Sequence, residues 1–323
     1  MTPSAVDVVT VGEGLVCLAP TGTQPLSEVA ALEKTYGGAE LNTAIGLSRL
    51  GIASQWVSRV GADSFGAELI GILAREGVGT DYVRAVPGRT TGLMVKERLS
   101  AEQVSVSYYR AESAMSTMSP GDLPTKHIAG ARVVHLTGIG LALGGGAEAT
   151  TRAALELCSD GDAITTFDPN YRQLLWAPAD ARAAYTSVLP AIDHLLCNEQ
   201  EAQLITGVAD VAEAASALAA LGPSTVIVKR GPRGAFALID GTEYDVPASQ
   251  VFAPVDTVGA GDAFNAGWIF GVLKSLPPVV ALRAAAWVAA RVVEHPGDYA
   301  GFPTYQMLMS GLGTEAPAMR VGS

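Results

Sequence analysis

Short β-branched runs alternate along the chain with longer stretches rich in Ala and Leu, the rhythm of βα units wound about a largely parallel sheet. Strands are predicted at 6–11, 55–60, 133–136, 163–167, 194–197, 225–229 and 234–239. Helices are predicted at 41–50, 64–76, 147–158, 179–191, 199–206, 211–221, 263–273 and 278–293. Within 64–76, Leu69, Ile70, Leu73 and Ala74 recur at helical spacing and mark one buried face. A parallel sheet needs both faces covered, so an α/β sandwich is the expected fold.

One region breaks the rhythm. Thr91, Leu93 and Val95, then Val104, Val106 and Tyr108, alternate with period two about the polar residues 100–103, which reads as a hairpin without a crossover helix. A second irregular stretch, 17–36, carries Pro20, Gly22 and Pro25 and leads into Gly37 and Gly38. Together they are expected to form a small β lid, from about 13–36 and 88–111, over the strand ends where open α/β sheets bind ligands. The alternative is an edge hairpin that only protects the sheet.

At 323 residues, one large domain with this small appendage is expected across the whole chain. Hydrophobic residues make up 49% and charged residues 16%, and no uncharged apolar run approaches the roughly 20 residues needed to span a bilayer. The N-terminus has no basic segment and leads directly into a strand, so a cytoplasmic chain without a secretory signal is expected. Cys17, Cys158 and Cys197 are widely separated in apolar contexts, which fits reduced buried thiols. The net charge of −11, with no Lys/Arg cluster, argues against a nucleic-acid partner. A small anionic substrate needs only one or two well-placed arginines.

The densest chemistry lies in Asp256-Thr257-Val258-Gly259-Ala260-Gly261-Asp262, immediately before the apolar helix predicted at 263–273. Small residues at a helix start let backbone amides converge on an anion. Asp262 stands where a phosphate-accepting hydroxyl would need a base. The other reading, left open by the pattern, is an ordinary capped helix start. His127, His135, His194 and His295 form no cluster and read as ordinary surface or satisfied positions. Asp168 and Asn170 read as pocket-facing loop residues, or, for Asp168, as a turn residue before Pro169.

This loop resembles the C-terminal signature of the ribokinase-like, or PfkB, carbohydrate kinases. Gly37-Gly38-Ala39-Glu40-Leu41-Asn42, followed by Gly61-Ala62-Asp63-Ser64-Phe65-Gly66, resembles the N-terminal one. Asn198-Glu199-Gln200-Glu201 and Lys229-Arg230-Gly231-Pro232-Arg233-Gly234 resemble two motifs between them, so the likeness spans nearly the whole chain. Within the family, Tyr108-Tyr109-Arg110 and Asp168-Pro169-Asn170-Tyr171-Arg172 are most similar to 2-keto-3-deoxygluconate kinases. The resemblance implies a single ribokinase-like three-layer sandwich and transfer of the γ-phosphoryl of ATP to the 6-hydroxyl of 2-keto-3-deoxygluconate. A kinase for another sugar acid or a neutral sugar, and a silent sensor on the same fold, are the alternatives.

The roles that follow are implied by that resemblance. Asp262 is the base, and the amides of Gly259, Ala260 and Gly261 stabilise the transferring group. Gly37, Gly38, Asn42, Tyr108, Arg110 and Arg172 contact the substrate, the two arginines its carboxylate. Gly37 and Gly38 also suit a tight turn. Asn198, Lys229, Gly231, Gly234, Gly259, Gly261 and Ala289 serve the nucleotide, with Ala286, Ala289 and Ala290 forming the adenine slot. Asn198 and Glu201 hold Mg²⁺ through water, and Asp256 matches a monovalent-cation (K⁺) ligand. For Asn198 a plain helix cap, and for Lys229 a solvated rim charge, are the alternatives. Met94 stands where some relatives carry a pocket tyrosine; losing one neutral hydrogen bond costs on the order of 1 kcal/mol and broadens recognition. Self-association at least to a dimer through the lid is expected.

Overall fold

The protein is described by a computed structural model that covers residues 6–20, 22, 25–98, 104–159 and 161–314. Among the described residues, nine strands build the main sheet: β1 (Val8–Val11), β4 (Ser54–Gly61), β5 (Gly79–Val86), β8 (Val133–Thr137), β9 (Ile164–Asp168), β10 (His194–Asn198), β11 (Thr225–Lys229), β12 (Ala235–Ile239) and β13 (Thr242–Val246). Their order is β13-β12-β11-β10-β9-β8-β1-β4-β5, with the β11–β12 and β12–β13 pairs antiparallel and the remaining pairs parallel. Strands β1 and β8 are fully buried, as expected of central parallel strands covered by helices on both faces. The fold is thus the three-layer α/β sandwich that the alternation predicts.

Four further strands, β2 (Leu15–Ala19), β3 (Glu33–Gly37), β6 (Gly92–Arg98) and β7 (Val104–Tyr109), form a separate sheet in the order β3-β2-β6-β7. Its outer pairs are antiparallel and the central β2–β6 pair is parallel. The turn between β6 and β7 lies outside the described residues. Leu15, Cys17 and Met94 are buried, with Val106 and Tyr108 packed against them, while Ser105, Ser107 and Tyr109 face outward. Period-two alternation therefore gives this small sheet one inner face.

Most predicted elements are present, and the differences have local causes. Helix 179–191 ends early, as Pro178–Val188, and continues as a 3₁₀ turn at Leu189–Ala191 containing Pro190, which lacks the amide a helix needs. Strands β5 and β13 escape prediction because they lie at the two sheet edges and carry no sustained apolar face. The helix Tyr305–Thr314 contains Gly311 and Gly313, which mask its periodicity.

Strand register delivers the polar site. Thr137 pairs with Asp168, and Asn198 with Lys229, so two neighbouring strand pairs each end level in polar residues, β10 and β11 running two residues beyond β8 and β9. The lid begins right after β1, across Gly12-Glu13-Gly14, and returns through Gly37 into the helix Ala39–Arg49.

Candidate active site

Asp262 lies in the first turn of the helix Ala260–Leu273, whose N-cap is Gly259. Gly259 has φ 80°, a left-handed conformation that glycine tolerates, and a Cβ there would collide with the Asp298 carbonyl. The Ala260 amide makes a long 3.3 Å turn bond to Thr257, while no carbonyl among the described residues is paired with the Gly259 or Gly261 amide. Those two donors remain available to an anion at the positive end of the helix.

The Asp262 carboxylate is buried and, among the described residues, takes one hydrogen bond, from Asn42 Nδ2 at 2.8 Å. Burial pushes its pKa up to about 8, with a contribution from the Asp168 charge, against the opposing pull of Asn42, Arg172 and Lys229. A carboxyl whose proton affinity is raised toward neutrality is suited to accept a hydroxyl proton. Asn42 sits in the helix Ala39–Arg49, and its buried Oδ1 has no partner among the described residues.

Three cavities meet around this loop. The first, about 390 Å³, runs under the lid and is lined by Gly38, Asn42, Tyr108, Arg110, Arg172 and Asp262, among others. Gly37 stands behind it, where a Cβ would strike the Asp298 carboxylate. At Gly38 the constraint is the Glu13 carbonyl, which a side chain would overlap. Met94 also lines this cavity, directly across the β6–β7 pair from Tyr108.

The two arginines are not equivalent. Arg110 is buried; its Nε donates to Glu13 Oε2 at 2.7 Å, and its Nη2 is also paired with that oxygen. The other Glu13 oxygen accepts from Ser113 Oγ at 2.5 Å. The Arg110 charge is therefore neutralised by a buried carboxylate, and its guanidinium lies 5.4 Å from the Tyr108 ring. Arg172 donates to the Tyr171 carbonyl at 3.2 Å and makes no ion pair among the described residues. The third cation of the cavity, Lys96, is paired with Asp298. Both guanidinium groups line the cavity, as expected, but among its described residues Arg172 is the cation without an ion-pair partner.

A second cavity, about 380 Å³ and polar, contains Asp168, Asn198, Glu201 and Lys229. Lys229, partly buried, is the ion-pair partner of Asp168 at 2.7 Å and not a rim charge, and Asn265 Nδ2 donates to the same Asp168 oxygen at 2.7 Å. Burial opposes ionisation of Asp168, but Lys229 and the Asn265 hydrogen bond outweigh it and hold the carboxyl below its ordinary value. Asp168 also accepts from the Asn170 amide at 2.9 Å, so it is a structural acceptor that faces the cavity. Asn198 caps the helix Glu199–Thr206, and Glu201 closes the capping box while accepting from the Tyr171 amide at 2.8 Å. Capping and cavity lining are therefore not exclusive for this pair. Among the described residues, no cluster of three His, Cys, Asp or Glu side chains is gathered to hold a metal directly. Asp256 Oδ1 accepts from the Val258 amide at 3.1 Å, fixing the start of the loop.

The third cavity, about 550 Å³, is apolar and is lined by Gly231, Gly234, Phe264, Ala286, Ala289 and Ala290, among others. The polar cavity shares Arg172, Gly259 and Asp262 with the first and Lys229, Gly231 and Gly261 with the third. It is the passage between a polar pocket under the lid and a flat apolar slot, with Asp262 at one end. Sequence reasoning missed Glu13, Glu40, Lys96 and Asp298 in the first cavity. The signal for Glu13 was a carboxylate at the end of an otherwise apolar strand. Glu40 is buried, accepts from Thr137 Oγ1 at 2.6 Å, and has its pKa raised by burial to about 7. His135 is buried with its Nδ1 at 2.9 Å from Thr166 Oγ1 and its Nε2 without a partner among the described residues, and burial lowers its pKa to about 4, so it is a neutral core histidine that is only half satisfied.

This chain belongs to the pfkB family of carbohydrate kinases, whose family model matches residues 6–305. It is a sugar kinase with the ribokinase-like fold. It is 33% identical to the 2-dehydro-3-deoxygluconokinase of Bacillus subtilis (strain 168) over 312 residues, 96% of each chain. It is also 33% identical to a fructokinase of Klebsiella pneumoniae, covering 84% of this chain and 88% of that one. Among solved structures, a PfkB protein from Polaromonas sp. JS666 matches with a TM-score of 0.87 and 32% identity, over 95% of this chain and 100% of that one. No helix among the described residues is long and apolar enough to cross a membrane.

Proposed function

We propose that the protein transfers the γ-phosphoryl group of ATP to the 6-hydroxyl of 2-keto-3-deoxygluconate, the acid lying in the cavity under the lid and the adenine in the apolar slot. The observation that carries this reading is the position of Asp262 where the acceptor cavity meets the polar passage, with Arg172 facing the same space as an uncompensated cation. Asp262 accepts the hydroxyl proton while the new O–P bond forms and the bond from the γ-phosphorus to its bridging oxygen breaks, releasing ADP. The transition state is loose, so aligning the oxygen matters more than base strength, and the Asn42 hydrogen bond fixes the carboxylate for that purpose. The Gly259 and Gly261 amides face the charge on the transferring group, with Ala260 between them.

The polar passage fits a hydrated cation. Asn198 and Glu201 would hold Mg²⁺ through its waters, since their oxygens are already engaged with backbone amides and retain lone pairs for water. When bound, the ion neutralises phosphate charge. Lys229, held by Asp168, would face the phosphates, Gly231 and Gly234 would border the nucleotide, and Asp256 would serve a monovalent cation. The two sheet edges, β3 and β7, which pair with no further strand among the described residues, suit self-association through the lid.

A second reading, a neutral-sugar kinase, is favoured by one observation: Glu13 cancels the Arg110 charge, leaving, among the described residues of the cavity, a single cation without an ion-pair partner for an acid. The test is kcat/KM with ATP and Mg²⁺ across gluconate- and galactonate-derived keto acids, fructose and ribose. An acid is expected to lead the series. If fructose or ribose matched it, the acid specificity would fall and the neutral-sugar reading would stand.

A further inference from the structure

Lys96, on lid strand β6, enters the acceptor cavity and places its Nζ 2.6 Å from Asp298 Oδ1. Asp298 is only 5% exposed, and Lys96 is its ion-pair partner among the described residues. The carboxylate belongs to the segment that follows the helix Pro278–Val293, on the wall opposite the lid. The pair therefore ties the two walls together across 202 residues of chain.

Asp298 makes two further close approaches. Its Oδ2 fills the space that a side chain on Gly37 would need, and its main-chain carbonyl fills the space that one on Gly259 would need. Gly37 ends lid strand β3, while Gly259 caps the helix that carries Asp262. One residue thus contacts a lid cation, the lid's return strand and the cap of the anion site. Burial disfavours a charged ammonium at Lys96, yet the Asp298 charge outweighs it and holds the lysine above its ordinary pKa.

We propose that Lys96 is a positioning residue for phosphoryl transfer: through Asp298 it holds Gly259, and with it the amides of the anion site, in register with the lid. The inference rests on the kinase reading above. A buried carboxylate that loses its cation takes up a proton or turns toward water, and either change moves the Asp298 main chain against Gly259. Misplacing a reacting group by about 1 Å costs on the order of 100-fold in rate. Neither Lys96 nor Asp298 lines the apolar cavity, so nucleotide affinity has no reason to follow.

The experiment compares the full-length protein with Lys96→Met, Lys96→Arg, Asp298→Asn and the Lys96→Met/Asp298→Asn double variant. It measures kcat and KM for the best acceptor, the Kd for ADP by calorimetry, and the melting temperature. Lys96→Met is expected to lose roughly 10- to 100-fold in kcat, with the ADP Kd unchanged within about twofold. Lys96→Arg restores most of the rate, and the double variant is no slower than the worse single one. Should Lys96→Met fold poorly, Lys96→Gln carries the same measurements. A kcat within about twofold of the parent, a change confined to acceptor KM, or multiplying effects in the double variant would overturn the positioning role while leaving the kinase reading intact. A parent protein inert toward every acid and neutral sugar would overturn that reading, and this inference with it.

Discussion

Asn42 and Asp262, 220 residues apart, are joined by a 2.8 Å hydrogen bond from the amide of one to the carboxylate of the other. The bond fixes which Asp262 oxygen faces the acceptor cavity. Asp262→Asn is expected to lower kcat by roughly 10²–10⁴-fold, with ADP affinity unchanged within about twofold. Asn42→Ala should give a smaller loss of the same kind. Near-normal turnover in Asp262→Asn would remove the assignment of this carboxylate as the base.

Because Asp262 titrates at about 8, only its ionised fraction is competent as a base, and kcat/KM should rise with pH toward a plateau above about 8. The linkage to stability has the opposite direction. Between the ordinary carboxylate value of 3.8 and about 8, the folded state holds a proton that the unfolded state has released, so stability falls as pH rises. Glu40 adds the same trend up to about 7. Melting curves across this range should show Asp262→Asn losing the upper part of the slope, while Glu40→Gln keeps it. Identical slopes in Asp262→Asn and the parent would contradict the raised value.

Removing either cavity arginine should have a different signature. Arg110→Ala leaves the Glu13 carboxylate buried without its cation, a loss of about 3–5 kcal/mol, and its main effect should be a lower melting temperature. Neutralising both partners, as Glu13→Gln/Arg110→Met, should recover much of that stability. Arg172→Ala, at an exposed position, should leave stability nearly unchanged and raise KM for a keto acid by roughly 10- to 100-fold, with little effect on a neutral sugar. Equal effects on acid and neutral acceptors would sink the discrimination by Arg172.

Ala289 and Ala290 present small side chains to the apolar cavity. Replacing Ala289 by Phe should fill the slot and raise KM for ATP roughly tenfold or more, while KM for the acceptor stays near the parent value. Acceptor and nucleotide KM rising together would place the adenine elsewhere.

The parallel core was legible because buried strands and amphipathic helices repeat at short, fixed periods. The loop at Gly259–Asp262 was legible for a similar reason, since an anion site at a helix start is contiguous in sequence. Lys229 shows where such reasoning stops: a lysine ending a strand carries no local mark of whether water or a carboxylate awaits it. Strand β9 supplies Asp168 from 61 residues away, and only the register of the sheet brings the two together. Edge strands β5 and β13 stayed hidden because half-exposed strands carry no sustained apolar face.

By itself the sequence determined the α/β architecture, the lid hairpin, the family motifs and the carboxylate at the helix start, all encoded in neighbouring residues. Tertiary structure decided which charges survive in the site. Glu13 neutralises Arg110, Asp298 pairs with Lys96, and Arg172 is left uncompensated, because sheet closure and lid placement bring together groups that lie 97 and 202 residues apart. Electrostatic pairing depends on distance in space, which periodicity along a chain does not encode.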